Sequence, residues 1–486
     1  MTITAAATAE DTSLHALFHP RTIAVAGVSR KSDGQGNKFI RRLRQANYQG
    51  RIYPIHPVET ELEGLRAYPS LAQTPETVDY AFVAIPAEGV PAMLAQARGN
   101  VRFVQVMSSG FGEGGRGMAL QQDLLDAVRQ GGMRLLGPNC LGTYSPAAGM
   151  SFIDGQLFLP GSVGVLSQSG GLSVDIIRNG EYRGLGFSGV VSLGNCLDIG
   201  PCELLAHYLE DPSTRVIGAY LEDIRNGRQF FELLRDAKAA KPVVLLKGGR
   251  TAQGLRAAAS HTGSLAGSEQ VWKALAAQTG SILVDSLEDF INTLVIFESS
   301  RSLAPPFDGR TILFGNGGGA SVLAADALGK LGIDVPPMSS GTTQALQALG
   351  VPAGAGLENP LDVPANILER SKGRIAGSIL EAVALREQPG AILMHINMPV
   401  IMGYRQGALL DELMHIVLEL RRELSPAVRL LLVLRSTGQA DYEETRREYT
   451  QLAMQAGIPT FLDLPSAARA LHALRTYSRF FHSRHA

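Results

Sequence analysis

Residues Thr22–Leu43, "TIAVAGVSRKSDGQGNKFIRRL", open as a short β-prone run, break at Gly27 into a loop of small and charged residues, and resume as an amphipathic helical pattern beginning near Asn37. A strand that ends in such a turn and passes directly into a helix is the first half of a βαβ unit. The alternation continues through "GRIYPIHP", "VDYAFVAIP", "VRFVQVMSSG" and "MRLLGPNC". It starts again at "GSVGVLSQSGGLSVDIIRNG", and a third time after the Pro-rich break "SRSLAPPFDGR", at "TILFGNGGGASVLAADALGKLGI". The pattern predicts an α/β protein of three parallel-sheet domains, spanning residues 1–145, 146–300 and 301–486.

Composition narrows the function. The 44 basic and 45 acidic residues leave a net charge of −1, which argues against nucleic acid or an anionic membrane as the main partner. No apolar run reaches the roughly 18 residues of a membrane span, and "MTITAAATAEDTS" lacks the basic flank and apolar core of a signal peptide. The three cysteines, Cys140, Cys196 and Cys202, show no metal-ligand spacing and no disulfide framework, so a cytoplasmic protein with structural thiols is expected.

Three strand-to-helix junctions are rich in small residues. The first, around Gly27, Ser29, Arg30 and Lys31, departs from the dinucleotide fingerprint: Ser29 and Ser32 stand where glycines belong. The next strand ends at His56 and Pro57 rather than at the acid that would take ribose hydroxyls, so NAD fits poorly. The basic pair suits a ligand carrying an extra phosphate, such as the 3′-phosphorylated adenosine of coenzyme A. The second junction, "VLSQSGGLSVDII", offers Ser169, Gly170 and Gly171 before a helix, and the hydroxyls of Ser167 and Ser169 are expected to face outward. The third, "ILFGNGGGASVLAADAL", repeats the device with Gly317, Gly318 and Gly319. Neither is a Walker loop or a nucleophile elbow. Close packing of helix on strand would explain any one of them; three in one chain point to anion seats at helix N-termini.

A single histidine, His261, sits in "AASHTGSLAGSEQ" among residues almost without bulk. An imidazole on such a segment can move and be approached closely. A phosphohistidine would suit two dipole-positive helix ends, and its formation needs a neutral ring steadied by an acceptor. Glu222, at the predicted end of a strand in "GAYLEDI", is the best candidate for that acceptor, against the plainer reading of a surface glutamate.

The pieces "TIAVAGVSRKSDGQGNKFIRRL", "GRIYPIHP", "SSGFGEGG", "RLLGPNCLG", "VGVLSQSGGLS", "VSLGN", "SHTGSLAGS", "GNGGGASVLAADAL" and "ENPLDV" occur in the order and spacing of a known family. From about Leu17 to about Val363 the chain resembles the α subunit of the ADP-forming (NDP-forming) acyl-CoA synthetases, relatives of succinyl-CoA synthetase. The resemblance implies a Rossmann-like CoA-binding domain followed by two flavodoxin-like domains. It gives the phosphorylated role to His261 and the steadying carboxylate to Glu222. The phosphate seats fall on Ser169, Gly170 and Gly171 and on Gly317, Gly318 and Gly319. Asn139 and Cys140 would lie beside the acyl-phosphate and thioester site, and Gly27, Ser29, Arg30, Lys31 and Pro57 would meet coenzyme A.

The family also implies ATP or ADP with Mg2+ on an ATP-grasp domain, and no stretch after Leu361 reads as one. A separate ATP-grasp β subunit, a homodimeric α core and a small carboxylic acid or acyl-CoA substrate are therefore expected. Two departures stand out: Val58 replaces a family lysine after His56 and Pro57, and Cys196–Gly200 replace the family's K-A-D-V-D. The alternative from another class is a CoA- or acyl-CoA-binding regulatory protein that has lost the ATP-coupled reaction. An NAD-dependent dehydrogenase is disfavoured by the broken fingerprint, and a Ser169 acyltransferase or hydrolase lacks an assigned base.

Overall fold

The computed structural model describes residues 14–97, 99–112, 114–155, 158–256, 269–300, 306–351, 355–404 and 407–485. They form two compact units, one of Met1–Glu181, Gly186–Ala237 and Leu245–Lys273, the other of Tyr182–Leu185, Lys238–Val244 and Ala274–Ala486.

The first unit begins with β1 (Thr22–Ala26), α1 (Gln35–Gln45), β2 (Arg51–Ile55), β3 (Val78–Val83), β4 (Val101–Val106), α2 (Gly114–Gln130) and β5 (Arg134–Leu136). Helix α1 starts at Gln35, earlier than the pattern suggested. The strands pair in parallel in the order β2-β1-β3-β4-β5. Every residue of β1 and of β3 is buried, as expected for strands covered on both faces.

A second sheet contains β6 (Gly142–Tyr144), β7 (Pro160–Ser167), β8 (Phe187–Ser192), β9 (Val216–Leu221) and β10 (Val243–Lys247), in the run β10-β9-β7-β8-β6. Only β6 within that run is shown to pair antiparallel, against β8. Helix α3 (Gly170–Tyr182) follows β7, and α4 (Glu269–Thr279) follows the segment that carries His261.

The other unit holds β11 (Thr311–Gly315), α5 (Gly318–Lys330), β12 (Leu361–Asp362), β13 (Ala391–Asn397), β14 (Arg429–Arg435) and β15 (Thr460–Phe461). Its sheet is parallel, in the order β12-β11-β13-β14-β15, around a core that includes Phe314, Leu361, Met394, Leu413 and Leu432.

In open parallel sheets ligands bind outside the carboxyl ends of the strands, where the strand order reverses. Here that rule selects the loops after β1, β7 and β11. They carry Gly27–Lys31, Gln168–Gly171 and Asn316–Gly319, the three junctions singled out in the sequence.

Candidate active site

The loop after β1 is held by Asn37. This buried side chain accepts the N–H of Ser29 at 3.1 Å, donates to the Ser29 carbonyl at 2.9 Å and donates to Glu63 at 2.7 Å. Gly27 has φ +91°, and a Cβ there would overlap the Ala84 carbonyl oxygen at the end of β3, so the close crossing requires glycine. Helix α1 has neither a side-chain cap nor an acidic residue in its first turn, which leaves its N-terminus suited to phosphate.

Arg30 is not free-standing: it donates to the Glu61 carbonyl at 3.0 and 3.2 Å and lies 3.2 Å from the Glu59 carboxylate. Lys31 is exposed. His56 is turned into its own loop, where Nδ1 accepts the N–H groups of Val58 at 3.2 Å and Glu59 at 2.9 Å. Pro57 is exposed, and Val58, 80 % exposed, presents a bare apolar surface on the same turn.

The second constellation lies where β5, β7, β8 and β9 end. The Asn195 N–H donates to the Pro138 carbonyl at 3.0 Å and the Leu197 N–H to the Gly137 carbonyl at 3.1 Å, so "RLLGPNCLG" and "VSLGN" are laid against each other. Asn195 Nδ2 donates to the Phe111 carbonyl at 3.1 Å, which brings in "SSGFGEGG". Asn139 is exposed on this surface, with φ +59° and its amide 3.5 Å from Asn195 Oδ1. Cys140 is buried beneath it, its sulfur 3.6–3.7 Å from the carbonyls of Leu136 and Val106. Burial pushes that thiol up and keeps it protonated, so it packs rather than attacks. Cys196 is likewise buried, and its thiol is pushed up to about 11.

At the helix end, Ser169 Oγ accepts the Leu172 N–H at 3.3 Å as an N-cap. The expectation for Ser167 is corrected: its hydroxyl is buried and donates inward to the Ser169 carbonyl at 2.9 Å, because the tight turn leaves that carbonyl pointing back at it. Gly170 is packed, a Cβ there falling 3.2 Å from Leu141, whereas a Cβ on Gly171 would meet nothing within 4 Å.

Glu222 is no ordinary surface residue. It is 6 % exposed at the end of β9, and its carboxylate accepts the Tyr220 hydroxyl at 3.0 Å. Burial and then the Glu222 charge push the Tyr220 phenol up, keeping it a donor. The backbone carbonyl of Glu222 takes the Lys247 ammonium at 2.9 Å. Lys247 is buried, which pulls its pKa down against the opposing pull of Asp223 and Glu222, and its nitrogen lies 5.6 Å from the ring centre of Trp272 on α4. His261 lies outside the described residues.

In the other unit the loop after β11 has a different character. Gly317 precedes α5 without a side-chain cap, a Cβ on Gly318 would lie 2.9 Å from the Asp362 carboxylate, and one on Gly319 would meet nothing within 4 Å. Asn316 Oδ1 accepts the Asn397 N–H at 2.8 Å, while its Nδ2 has no hydrogen-bond partner among the described residues. His395, 1 % exposed, contacts Ser321 Oγ at 2.9 Å through Nε2. Burial and the nearby Arg435 push its pKa down to about 4, so the ring is neutral.

The sequence singles out the three loops and Glu222 as candidates; it gives no signal for Asn37, Gln168, Tyr220, Lys247, Asp362 and His395, which the structure places beside those loops or Glu222. Asp362 was inside "ENPLDV", with no role attached. Among the described residues no group of three or more His, Cys, Asp or Glu could hold a metal, and no helix is long and apolar enough to cross a membrane.

A CoA-binding-domain model matches residues 21–146, and a succinyl-CoA-ligase-like flavodoxin-domain model matches residues 160–297. The chain is 32 % identical over 480 residues to the α subunit of acetate–CoA ligase [ADP-forming] I of Pyrococcus furiosus, covering 96 % of this chain and 98 % of that one. It is 30 % identical to acetate–CoA ligase [ADP-forming] I of Archaeoglobus fulgidus, covering 95 % of this chain but only 63 % of that longer protein. The dinucleotide-forming acetyl-coenzyme A synthetase 1 of Ca. Korarchaeum cryptofilum superposes with a TM-score of 0.82 at 27 % identity, covering 97 % of this chain and 99 % of that one.

Proposed function

The chain belongs to the family of ADP-forming acyl-CoA ligases, as an α subunit, and from that premise we propose how its residues divide the reaction acyl-CoA + phosphate + ADP ⇌ carboxylic acid + CoA + ATP. Coenzyme A is held by the loop after β1: Gly27 and Ser29 with the α1 N-terminus take phosphate, Arg30 and Lys31 supply charge, and Pro57 with Val58 forms an apolar face for the base. Phosphate sits on Ser169, Gly170 and Gly171 beside Asn139, and one of its oxygens attacks the thioester carbonyl. The C–S bond breaks, CoA leaves as the thiol with a proton from phosphate, and an acyl phosphate remains.

The unprotonated nitrogen of neutral His261 then attacks phosphorus, and the acid leaves as a carboxylate. The other ring nitrogen keeps its proton and donates it in a hydrogen bond to Glu222, which stabilises the imidazolium character of the product. Gly317, Gly318 and Gly319 form the second phosphate seat, used when the phosphoryl group passes on to ADP. That last transfer needs a separate ATP-grasp subunit, with Mg2+ supplying charge neutralisation on the nucleotide. The substrate class is a small carboxylic acid, with acetate the first to test. We place domain limits near residues 145 and 300 and expect a homodimeric α core in the cytoplasm.

The observation that carries this reading is the convergence, within one unit, of the turns holding Asn139, Ser169 and Asn195 beside a buried carboxylate, Glu222. The test is to incubate the purified chain with inorganic phosphate and a panel of acyl-CoAs, then seek one acid-labile phosphoryl group by intact mass. Label on the wild type and none on His261→Ala is expected. Label that survives in His261→Ala, or none with any acyl-CoA in the presence of an ATP-grasp partner, overturns the reading.

A further inference from the structure

Gln168 is the residue between β7 and the Ser169 cap, and its backbone N–H continues the ladder by donating to the Tyr220 carbonyl at 3.2 Å. Its side chain does more. The carboxamide oxygen accepts two backbone N–H groups, those of Glu222 and, at 2.9 Å, Asp223. The carboxamide nitrogen donates to the Asp223 carbonyl at 2.9 Å and toward Cys196 Sγ at 3.6 Å. Two donors meeting one end of an amide identify that end as oxygen, and here both lone pairs and both N–H groups are used.

This geometry has a consequence for Glu222. Strand β9 ends at Leu221, so the next peptide groups have no strand partner of their own. Gln168 supplies one, and does so from the turn that carries the proposed phosphate seat. The same amide reaches Cys196 in the turn laid against Asn139. One side chain thus ties the phosphate seat, the acyl-site turn and the backbone of the carboxylate. We propose that Gln168 is a positioning residue that fixes Glu222 for phosphoryl transfer to His261. The inference rests on the role given to Glu222 above.

If it is right, Gln168→Leu leaves the two N–H groups and the Asp223 carbonyl without their partner, and the Glu222 backbone relaxes. Misplacement of a reacting geometry by about 1 Å costs on the order of 100-fold in rate. The half-reactions can be separated with acetyl phosphate as probe, because it enters after thioester cleavage. Labelling of the chain by acetyl phosphate should fall about 100-fold in kcat for Gln168→Leu, with KM within about threefold. Formation of acetyl phosphate from acetyl-CoA and phosphate should fall far less.

The decisive readout is a double-mutant cycle with Glu222→Gln. A residue that acts through Glu222 costs nothing further once the carboxylate is gone, so the double variant should label at the rate of Glu222→Gln alone. Gln168→Glu, which keeps the acceptor but loses both donors, provides a second variant should Leu prevent folding, and its loss should be intermediate. Multiplicative losses in the cycle, or equal losses in both half-reactions, overturn the inference and reduce Gln168 to scaffold. Wild-type labelling by Glu222→Gln would instead overturn the reading of Glu222 itself.

Discussion

The loops after β7 and β11 are the same device in sequence, a buried strand, a run of small residues and a helix, yet the structure finishes them differently. After β7 the polar contacts close on themselves: Ser169 caps α3, Ser167 turns inward and Gln168 spends its whole amide on neighbouring loops. After β11 the helix is uncapped by any side chain, and Asn316 Nδ2, Asp362 Oδ1 and His395 Nδ1 are buried with no partner among the described residues. A satisfied loop is rigid before any ligand arrives, whereas buried polar atoms without partners carry a desolvation cost that a ligand or water can relieve. The difference is in keeping with the roles proposed above, a first seat where reacting geometry must be fixed and a second that receives a group made elsewhere.

Gly315, at the end of β11, has no counterpart after β7 in how tightly it is packed. The register places Gly315 of β11 beside Asp362 of β12 on one side and His395 of β13 on the other. A Cβ at Gly315 would fall inside the His395 imidazole, so the ring occupies space that only glycine leaves. Gly315→Ala should destabilise its unit by about 3 kcal/mol through overpacking, and the added substitution His395→Ala should recover part of that loss. Urea unfolding of the wild type, of each single variant and of the double variant decides it; a loss of less than about 0.5 kcal/mol in Gly315→Ala means that the ring moves aside freely.

His395 also sets a pH dependence that the loop after β7 does not share. Its folded pKa is about 4, below the ordinary value of 6.5. Between these values the unfolded chain binds the extra proton, so stability rises with pH across this window. The contribution is fully present above about pH 6.5 and is lost as pH falls toward 4, to a maximum of about 3 kcal/mol. In His395→Gln the slope of the urea midpoint between pH 7 and pH 4.5 should flatten relative to the wild type. An unchanged slope would mean that the ring titrates in the folded protein at its ordinary value, with no penalty from burial.

These residues explain what was legible in the sequence and what was not. Strand and helix order could be read because burial on both faces writes long apolar runs such as "YAFVAI" and "LLLVL", and glycine-rich breaks mark the ends of strands. His395 was hidden within one of these runs, "ILMHIN", because its partner Ser321 is remote in sequence and no periodicity links them. Gln168 was hidden for the same reason: its acceptors and donors lie 28 to 55 residues away, on turns brought together only by the parallel sheet. Glu222 was legible as a strand-end carboxylate, but not as a buried one.

At Gly171 stability and phosphate binding should move in opposite directions on substitution. Both loops carry a glycine whose packing explains it, Gly170 against Leu141 and Gly318 against Asp362. Each also carries glycine with open space around its missing Cβ, Gly171 after β7 and both Gly317 and Gly319 after β11. Packing gives no reason for glycine at Gly171, and in a helix glycine is less stable than alanine by about 0.5–1 kcal/mol. Gly171→Ala should therefore raise the urea midpoint of its unit slightly. An anion approaching the first-turn amides of α3 would meet the new methyl group, so phosphate-dependent labelling of the chain should fall even as stability rises. Higher stability with undiminished labelling would show that phosphate does not approach over Gly171, and would confine the seat after β7 to the Ser169 side of the turn.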